Sequence, residues 1–388
     1  MIITVVCDVL GEENNGTTIA SMNLIRYLKK KGHTVRVLCA DADKEGLENY
    51  FVAPTLNLGK LINKYVEKAG VTLAKGDPST IKRALDGADH VHLMLPFSLS
   101  MKTAKIAKEM NISTTAGFHM QAENFTSYVK LNKCGLLNKL VYKFIYSKVY
   151  KHVDAIHYPT EFIKAVFEKN IKKEPRGFII SNGVHDYVQR RETAKPEELK
   201  DKFVILTTGR YSSEKAQDVL IKAIKYSKYK DKIQLILGGQ GVKQKYYEKL
   251  SKKLPIRPIM KFYSRTEIID VLNYADIYVH PAEMELEGIS CLEAIACGKL
   301  TIVSDSKLSA TKEFAIDDKC VFKNRKPKHL ASIIDYWIEN PKEREKYERL
   351  YLESSKTLNQ DECMEQTEQM IIGIHNERKE NDLLHGQY

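Results

Sequence analysis

Glu285 and Glu293 stand eight positions apart in the run His280-Pro281-Ala282-Glu283-Met284-Glu285-Leu286-Glu287-Gly288-Ile289-Ser290-Cys291-Leu292-Glu293. A strand ending at His280 runs into a loop, and Gly288 lets the backbone turn into a helix over Ile289–Ala296. The first turn of a helix offers free backbone N–H groups and a partial positive charge, which suit a diphosphate. Glu285 before the helix and Glu293 one turn inside it can address one sugar–phosphate ligand. A solvated acidic loop ahead of an amphipathic helix fits the same spacing.

A second cluster, Thr207-Thr208-Gly209-Arg210-Tyr211-Ser212-Ser213-Glu214-Lys215, follows another strand. Arg210 can grip phosphate oxygens with two donors, and Lys215 adds a point charge at the mouth of a helix. Two solvent-facing cations are the plain alternative. Gly238-Gly239-Gln240-Gly241 also joins a strand to a helix, either facing a ligand or simply turning. It is not the G-x-G-x-x-G of dinucleotide sites, and the phosphate loop G-x-x-x-x-G-K-[ST] is absent. Near the start, Asn14-Asn15-Gly16-Thr17-Thr18 joins strand one to helix one, with Gly16 permitting close backbone approach and a threonine available as a cap. His119 ends a strand whose carboxyl edge should face a ligand, where it can hydrogen-bond a sugar hydroxyl or assist transfer. A structural histidine would also sit there.

The stretch 124–153 carries a different signal. After Asn124 it has no acidic residue until Asp154, yet it holds Lys130, Lys133, Lys139, Lys143, Lys148 and Lys151. Leu136, Leu137, Leu140, Val141 and Phe144 form one apolar stripe at helical spacing. Tyr142, Tyr146 and Tyr150 form a ridge at i+4 intervals beside Lys139 and Lys143. Such a helix fits an anionic membrane interface, with Lys133, Lys139, Lys143, Tyr142 and Tyr146 as the contacts. A core-facing helix with solvated lysines fits too, and Lys148 and Lys151 stray into the apolar arc.

These residues must be held by a recurrent scaffold. Short apolar runs alternate with helical patterns: strands at 2–6, 34–38, 90–95, 113–118, 155–158 and 177–180, then at 203–208, 234–238, 259–262, 277–280 and 300–304. This alternation implies mostly parallel sheets covered on both faces, in two doubly wound α/β domains. The expected divisions are an N-terminal domain over 1–186, a linker over 187–201 and a C-terminal domain over 202–355. Residues 356–388 form a helix and a fraying polar tail that packs back on the first domain. The 388 residues carry a net charge of +11, with 27 Lys+Arg against 18 Asp+Glu in residues 1–190 and 34 against 32 in the remainder. A basic first half suits an anionic partner, either a membrane surface or nucleic acid, although no nucleic-acid-binding motif is recognisable. No run approaches the roughly 20 apolar residues that span a bilayer, and the start reads as a strand rather than a signal peptide. Seven scattered cysteines without C-x-x-C fit reduced thiols and neither a disulfide frame nor a zinc site.

Gly209-Arg210 with Glu214-Lys215, followed by Glu285-x7-Glu293 inside Leu-Glu-Ala-Ile-Ala-Cys-Gly, resembles the retaining GT-B glycosyltransferases, the large family that includes sucrose synthase. The resemblance covers nearly the whole chain. It implies two Rossmann-like domains facing across a cleft, with Arg210 and Lys215 on the diphosphate of a nucleotide sugar. Glu285 would lie near the transferred sugar and Glu293 at the ribose. The backbone from Gly288 through Ile289 to Ser290 would serve sugar and phosphate, with Gly209 and Gly16 close to the donor and His119 near the reacting carbon. Glu287 stands where Phe is frequent. The variant Glu-Leu-Glu-Gly, the phrase Phe118-His119-Met120-Gln121-Ala122-Glu123-Asn124 and the lysine–tyrosine helix are similar to bacterial diacylglycerol glucosyltransferases. Gly16 is a single glycine where many relatives have two, and Leu300-Thr301 stands where a Pro is common.

The resemblance implies glucose transfer from UDP-glucose with retention onto 1,2-diacylglycerol, by a peripheral protein on the cytoplasmic membrane face. The resemblance implies no metal or other cofactor. A retaining transferase acting on a soluble acceptor such as a cell-wall or capsule precursor is the alternative. A non-catalytic nucleotide- or nucleic-acid-binding protein is the third reading. Nothing in the sequence speaks to oligomeric state.

Overall fold

The computed structural model describes residues 1–8, 10, 16–57, 59, 73–127, 131 and 134–385. The strands are β1 Ile2–Val6, β2 Thr34–Cys39, β3 Tyr50–Val52, β4 His90–Leu93, β5 Ser113–Gly117, β6 Ala155–Tyr158 and β7 Gly177–Ile179. They form one parallel sheet in the order β3-β2-β1-β4-β5-β6-β7. Then come β8 Phe203–Thr208, β9 Ile233–Gly238, β10 Ile259–Lys261, β11 Ile277–His280, β12 Met284–Glu285, β13 Thr301–Ser304, β14 Leu308–Ser309 and β15 Val321–Phe322. Six of them make a second parallel sheet, β10-β9-β8-β11-β13-β15, and β12 pairs separately with β14. Central strands β4, β5, β6, β9, β11 and β13 are buried throughout, as sheets covered on both faces require. Both orders run outward in two directions from the first strand of the sheet, the doubly wound pattern, which places switch points between β1 and β4 and between β8 and β11.

The chain divides into two compact units, Met1–Asn182 with Cys363–Tyr388, and Gly183–Glu362. Cys363, Met364, Met370 and Ile371, from the helix Gln360–His385, share a core with Ile3, Val5, Leu24 and Leu28. The same helix is tied down by His33 to Glu368 at 2.7 Å, Arg176 to Glu377 at 2.5 and 2.8 Å, and Arg378 to Asp154 at 2.8 and 3.0 Å. The polar tail expected to fray after Asn376 is therefore helical as far as His385.

Residues 187–201, read as a linker, lie along the second unit. Val188 and Leu199 are buried, Arg191 donates its N–H to Asn273 at 2.8 Å, and Lys195 pairs with Asp276 at 2.5 Å. All seven cysteines are free thiols, and only Cys134 is exposed. Among the described residues no helix is long and apolar enough to cross a membrane.

Candidate active site

In the second unit the expected residues gather at the carboxyl ends of β8 and β11, the switch point of that sheet, where doubly wound folds bind ligands. β8 ends at Thr208 and passes into Gly209 and Arg210. The Gly238–Gly241 turn zips against that loop: Gly209 N–H bonds to Gly238 O at 2.9 Å and Tyr211 N–H to Gln240 O at 2.9 Å. Its glycines thus serve loop-to-loop packing. Arg210 is exposed and lies 3.8 Å from Glu214.

Lys215 turns inward. Its ammonium donates to Glu285 Oε1, and His280 Nε2 lies 2.9 Å from the same oxygen. The two ionic side chains are only 19% and 11% exposed. Burial works against charge on Glu285, but the Lys215 ammonium and the His280 hydrogen bond outweigh it and hold the carboxyl at about 2. The loop carrying Glu285 is pinned at its base: Glu283 N–H bonds to Glu214 O at 2.7 Å, and Arg325 reaches Glu283, Asp218 and Ser213 O.

Gly288 is the turn into the helix Ile289–Ala296, with φ at +92°. A Cβ there would stand 2.7 Å from the Thr311 methyl carbon, so both the backbone and the space demand glycine. Cys291 and Leu292 donate back to Gly288 O, while the N–H groups of Ile289 and Ser290 begin the helix without intrahelical acceptors. Those two donors and the helix dipole give this helix start the chemistry that suits an anion. Glu293 has a different partner, Arg265 Nη1 at 2.6 Å, and burial raises its carboxyl despite that cation. The two glutamates are therefore not a mutually coupled acid–base pair.

In the first unit His119 follows β5 and is 9% exposed. Its ring folds back over Gly117, where a Cβ would lie 2.5 Å from Nε2. His157 meets it edge-on at 5.8 Å between centroids. Burial, then repulsion by His157, lowers His119 to about 3, so the imidazole is neutral at physiological pH. Nε2 is buried without a hydrogen-bond partner among the described residues. Gly16 is the first residue of the helix Gly16–Lys30, and the Asn14-Asn15 part of the expected loop lies outside the described residues.

The basic helix spans Gly135–Lys148, and the tyrosines expected as contacts turn inward. Tyr142 is fully buried, donating to Glu123 Oε2 at 2.7 Å and accepting from Ala122 N–H at 3.2 Å. It cannot be a membrane contact. Tyr150 is buried too, against Phe118 and Phe167. Tyr146 is half-buried beneath Lys173. The exposed residues are instead Leu136 at 70%, Leu140 at 55% and Phe144 at 50%, with Lys143 and Lys148 exposed beside them and Lys139 half-buried. Lys133 lies outside the described residues. The tyrosine ridge faces inward because each ring finds a packed partner there, and Tyr142 finds a carboxylate for its hydroxyl.

Two further residues escaped the sequence reading. Arg265 pairs with Glu293, and His280 touches Glu285; the parity of Tyr278 and His280 on one strand, just ahead of Glu285, was the available signal for the second. No group of three or more His, Cys, Asp or Glu side chains among the described residues could hold a metal ion.

Residues 188–350 match the family described as glycosyl transferases group 1, and residues 14–186 match glycosyltransferase family 4. The chain belongs to the GT-B glycosyltransferases. This glycosyltransferase is 25% identical over 225 residues to the alpha-monoglucosyldiacylglycerol synthase of Streptococcus pneumoniae, across 54% of its own length and 50% of the relative's. It spans half or less of the length of the curated relatives it matches. Two solved structures share its fold: the Anabaena protein HepE in complex with UDP and glucose, with a TM-score of 0.71 and 15% identity, covering 96% of this chain and 100% of that one. The sucrose-phosphate synthase of Thermosynechococcus elongatus has a TM-score of 0.75 and 16% identity, covering 95% and 98%.

Proposed function

We propose that this glycosyltransferase moves glucose from UDP-glucose, with retention at the anomeric carbon, onto a membrane lipid of the 1,2-diacylglycerol class. The donor side rests on one observation: Lys215 and Glu285 meet at the β8–β11 switch point beside the free N–H groups of Ile289 and Ser290. A nucleotide diphosphate would take its charge-assisted bonds from Arg210, Lys215 and that helix start, which stabilise the charge developing on the leaving group. In this reading these protein groups, rather than a bound cation, neutralise the leaving UDP. Glu285 addresses the transferred sugar and Glu293 the ribose.

The acceptor side rests on the exposed line of Leu136, Leu140 and Phe144 flanked by Lys143 and Lys148. Such a face can enter the headgroup boundary of an anionic leaflet, each nearby lysine adding roughly 1 kcal/mol. The similarity to a diacylglycerol glycolipid synthase supports the same acceptor class. The test is a screen of UDP-sugars with a membrane lipid extract, products being identified by mass spectrometry and the anomer by NMR. A new α-glucosyl lipid is the expected result. Transfer to soluble precursors alone would replace the lipid reading, and nucleic-acid affinity without any turnover would end the enzymatic one.

A further inference from the structure

We infer that His280 is a positioning residue that fixes the Glu285 carboxylate, and that Tyr278 and Thr208 select the tautomer in which it does so. The inference rests on the reading of Glu285 as the carboxylate that addresses the sugar. Tyr278 and His280 are two residues apart on β11 and share one face of the sheet. β11 lies beside β8 with Tyr278 opposite Leu206, so Thr208 at the end of β8 comes level with them on that face. Thr208 Oγ1 lies 2.9 Å from the Tyr278 hydroxyl, which lies 3.2 Å from His280 Nδ1, and His280 Nε2 lies 2.9 Å from Glu285 Oε1.

Proton inventory gives this row a direction. Glu285 is ionised and can only accept, so Nε2 of His280 carries a proton, and in the neutral ring that is the only one. Nδ1 is then an acceptor, and the Tyr278 hydroxyl donates to it. Burial raises the Tyr278 phenol, so it keeps the proton it donates. Thr208 completes the row by donating to Tyr278. A histidine at 1% exposure with both nitrogens engaged has one orientation and one tautomer.

The consequence lies at Glu285. Lys215 is a flexible point charge that tolerates several carboxylate rotamers. The flat imidazole N–H does not. With both donors on Oε1, the carboxylate is clamped through one oxygen, and Oε2 accepts from no described residue. Oε2 is thereby presented to a ligand hydroxyl.

The test compares His280→Ala, His280→Gln and Tyr278→Phe with the wild type, their folds being checked by thermal melting. Gln places an amide N–H near the position of Nε2. His280→Ala should lower kcat about 100-fold with the donor KM held within about 3-fold, the scale of a displaced reacting group. His280→Gln should recover at least about tenfold of that loss. In ¹⁵N-histidine NMR at pH 7.5, His280 should be the neutral Nε2–H tautomer, and Tyr278→Phe should mix it with the Nδ1–H form. Wild-type kcat in His280→Ala, no advantage of Gln over Ala in folded protein, or an Nδ1–H or imidazolium form in the wild type would each overturn the proposal. The NMR arm needs no turnover, so it decides the relay even where no UDP-sugar is consumed, a result that would count against the donor reading instead.

Discussion

Lys215 and Glu285, 70 residues apart in the chain, close a nearly buried ion pair beyond the carboxyl ends of neighbouring strands β8 and β11. The pair ties the Glu285 loop to the loop that follows β8 and sets the local charge. Glu285 is held at about 2, below its ordinary 4.5, so its stabilising effect is complete above pH 4.5 and is lost as pH falls toward 2. Glu285→Gln should flatten that part of the acid unfolding curve of the second unit. On the proposed role of Glu285 at the transferred sugar, the same substitution should also reduce transfer by about 100-fold or more. Acid titration followed by circular dichroism, together with initial rates, checks both.

The first unit should fail at a milder pH. His90 and His119 are pushed down to about 3, and His92 and His157 also fall below 6.5, with burial the largest cause in each. A histidine held neutral stabilises fully above its unfolded value of 6.5 and loses that contribution as pH falls toward 3. Calorimetry across pH 7 to 4 should show the first unit's melting temperature falling before that of the second. A melting temperature independent of pH over that range would contradict the buried neutral cluster.

Tyr142 and Phe144 separate packing from surface. Tyr142→Phe strips the buried Glu123 carboxylate and the Ala122 N–H of a partner and should cost about 1–3 kcal/mol of stability, with vesicle binding unchanged. Leu140→Ser with Phe144→Ser should leave stability within about 0.5 kcal/mol and abolish recruitment to vesicles containing anionic lipid at low salt. Flotation assays and denaturant melts on both variants decide between the two faces.

Gly288→Ala places a side chain at φ +92° and against Thr311. The left-handed backbone alone costs about 1–2 kcal/mol, and relief by movement would drag the Ile289 and Ser290 donors out of line. Transfer should therefore fall more than stability does, which paired rate and melting measurements would reveal.

Much of this was legible in the order of residues. Apolar runs without alternation marked strands buried on both faces. The bounds of the helix Ile289–Ala296 followed from Gly288 and the apolar spacing after it. Short pairings such as β12 with β14 were not legible, since two-residue strands have no periodicity. The Gly238–Gly241 turn remained ambiguous because glycine serves a ligand and a neighbouring backbone equally well.

The sequence by itself determined the class of scaffold and singled out Arg210, Lys215, Glu285 and Glu293 at and beyond the strand ends of the second unit. These are local patterns, and spacing along one chain is enough to express them. Only tertiary structure decided which side of the helix Gly135–Lys148 faces outward. Both candidate faces are amphipathic, and the choice turned on Glu123 and Phe167 waiting for the tyrosines. It likewise decided that Glu285 belongs with Lys215 and His280 while Glu293 belongs with Arg265. Those pairings depend on which strands lie side by side, and chain order does not contain that.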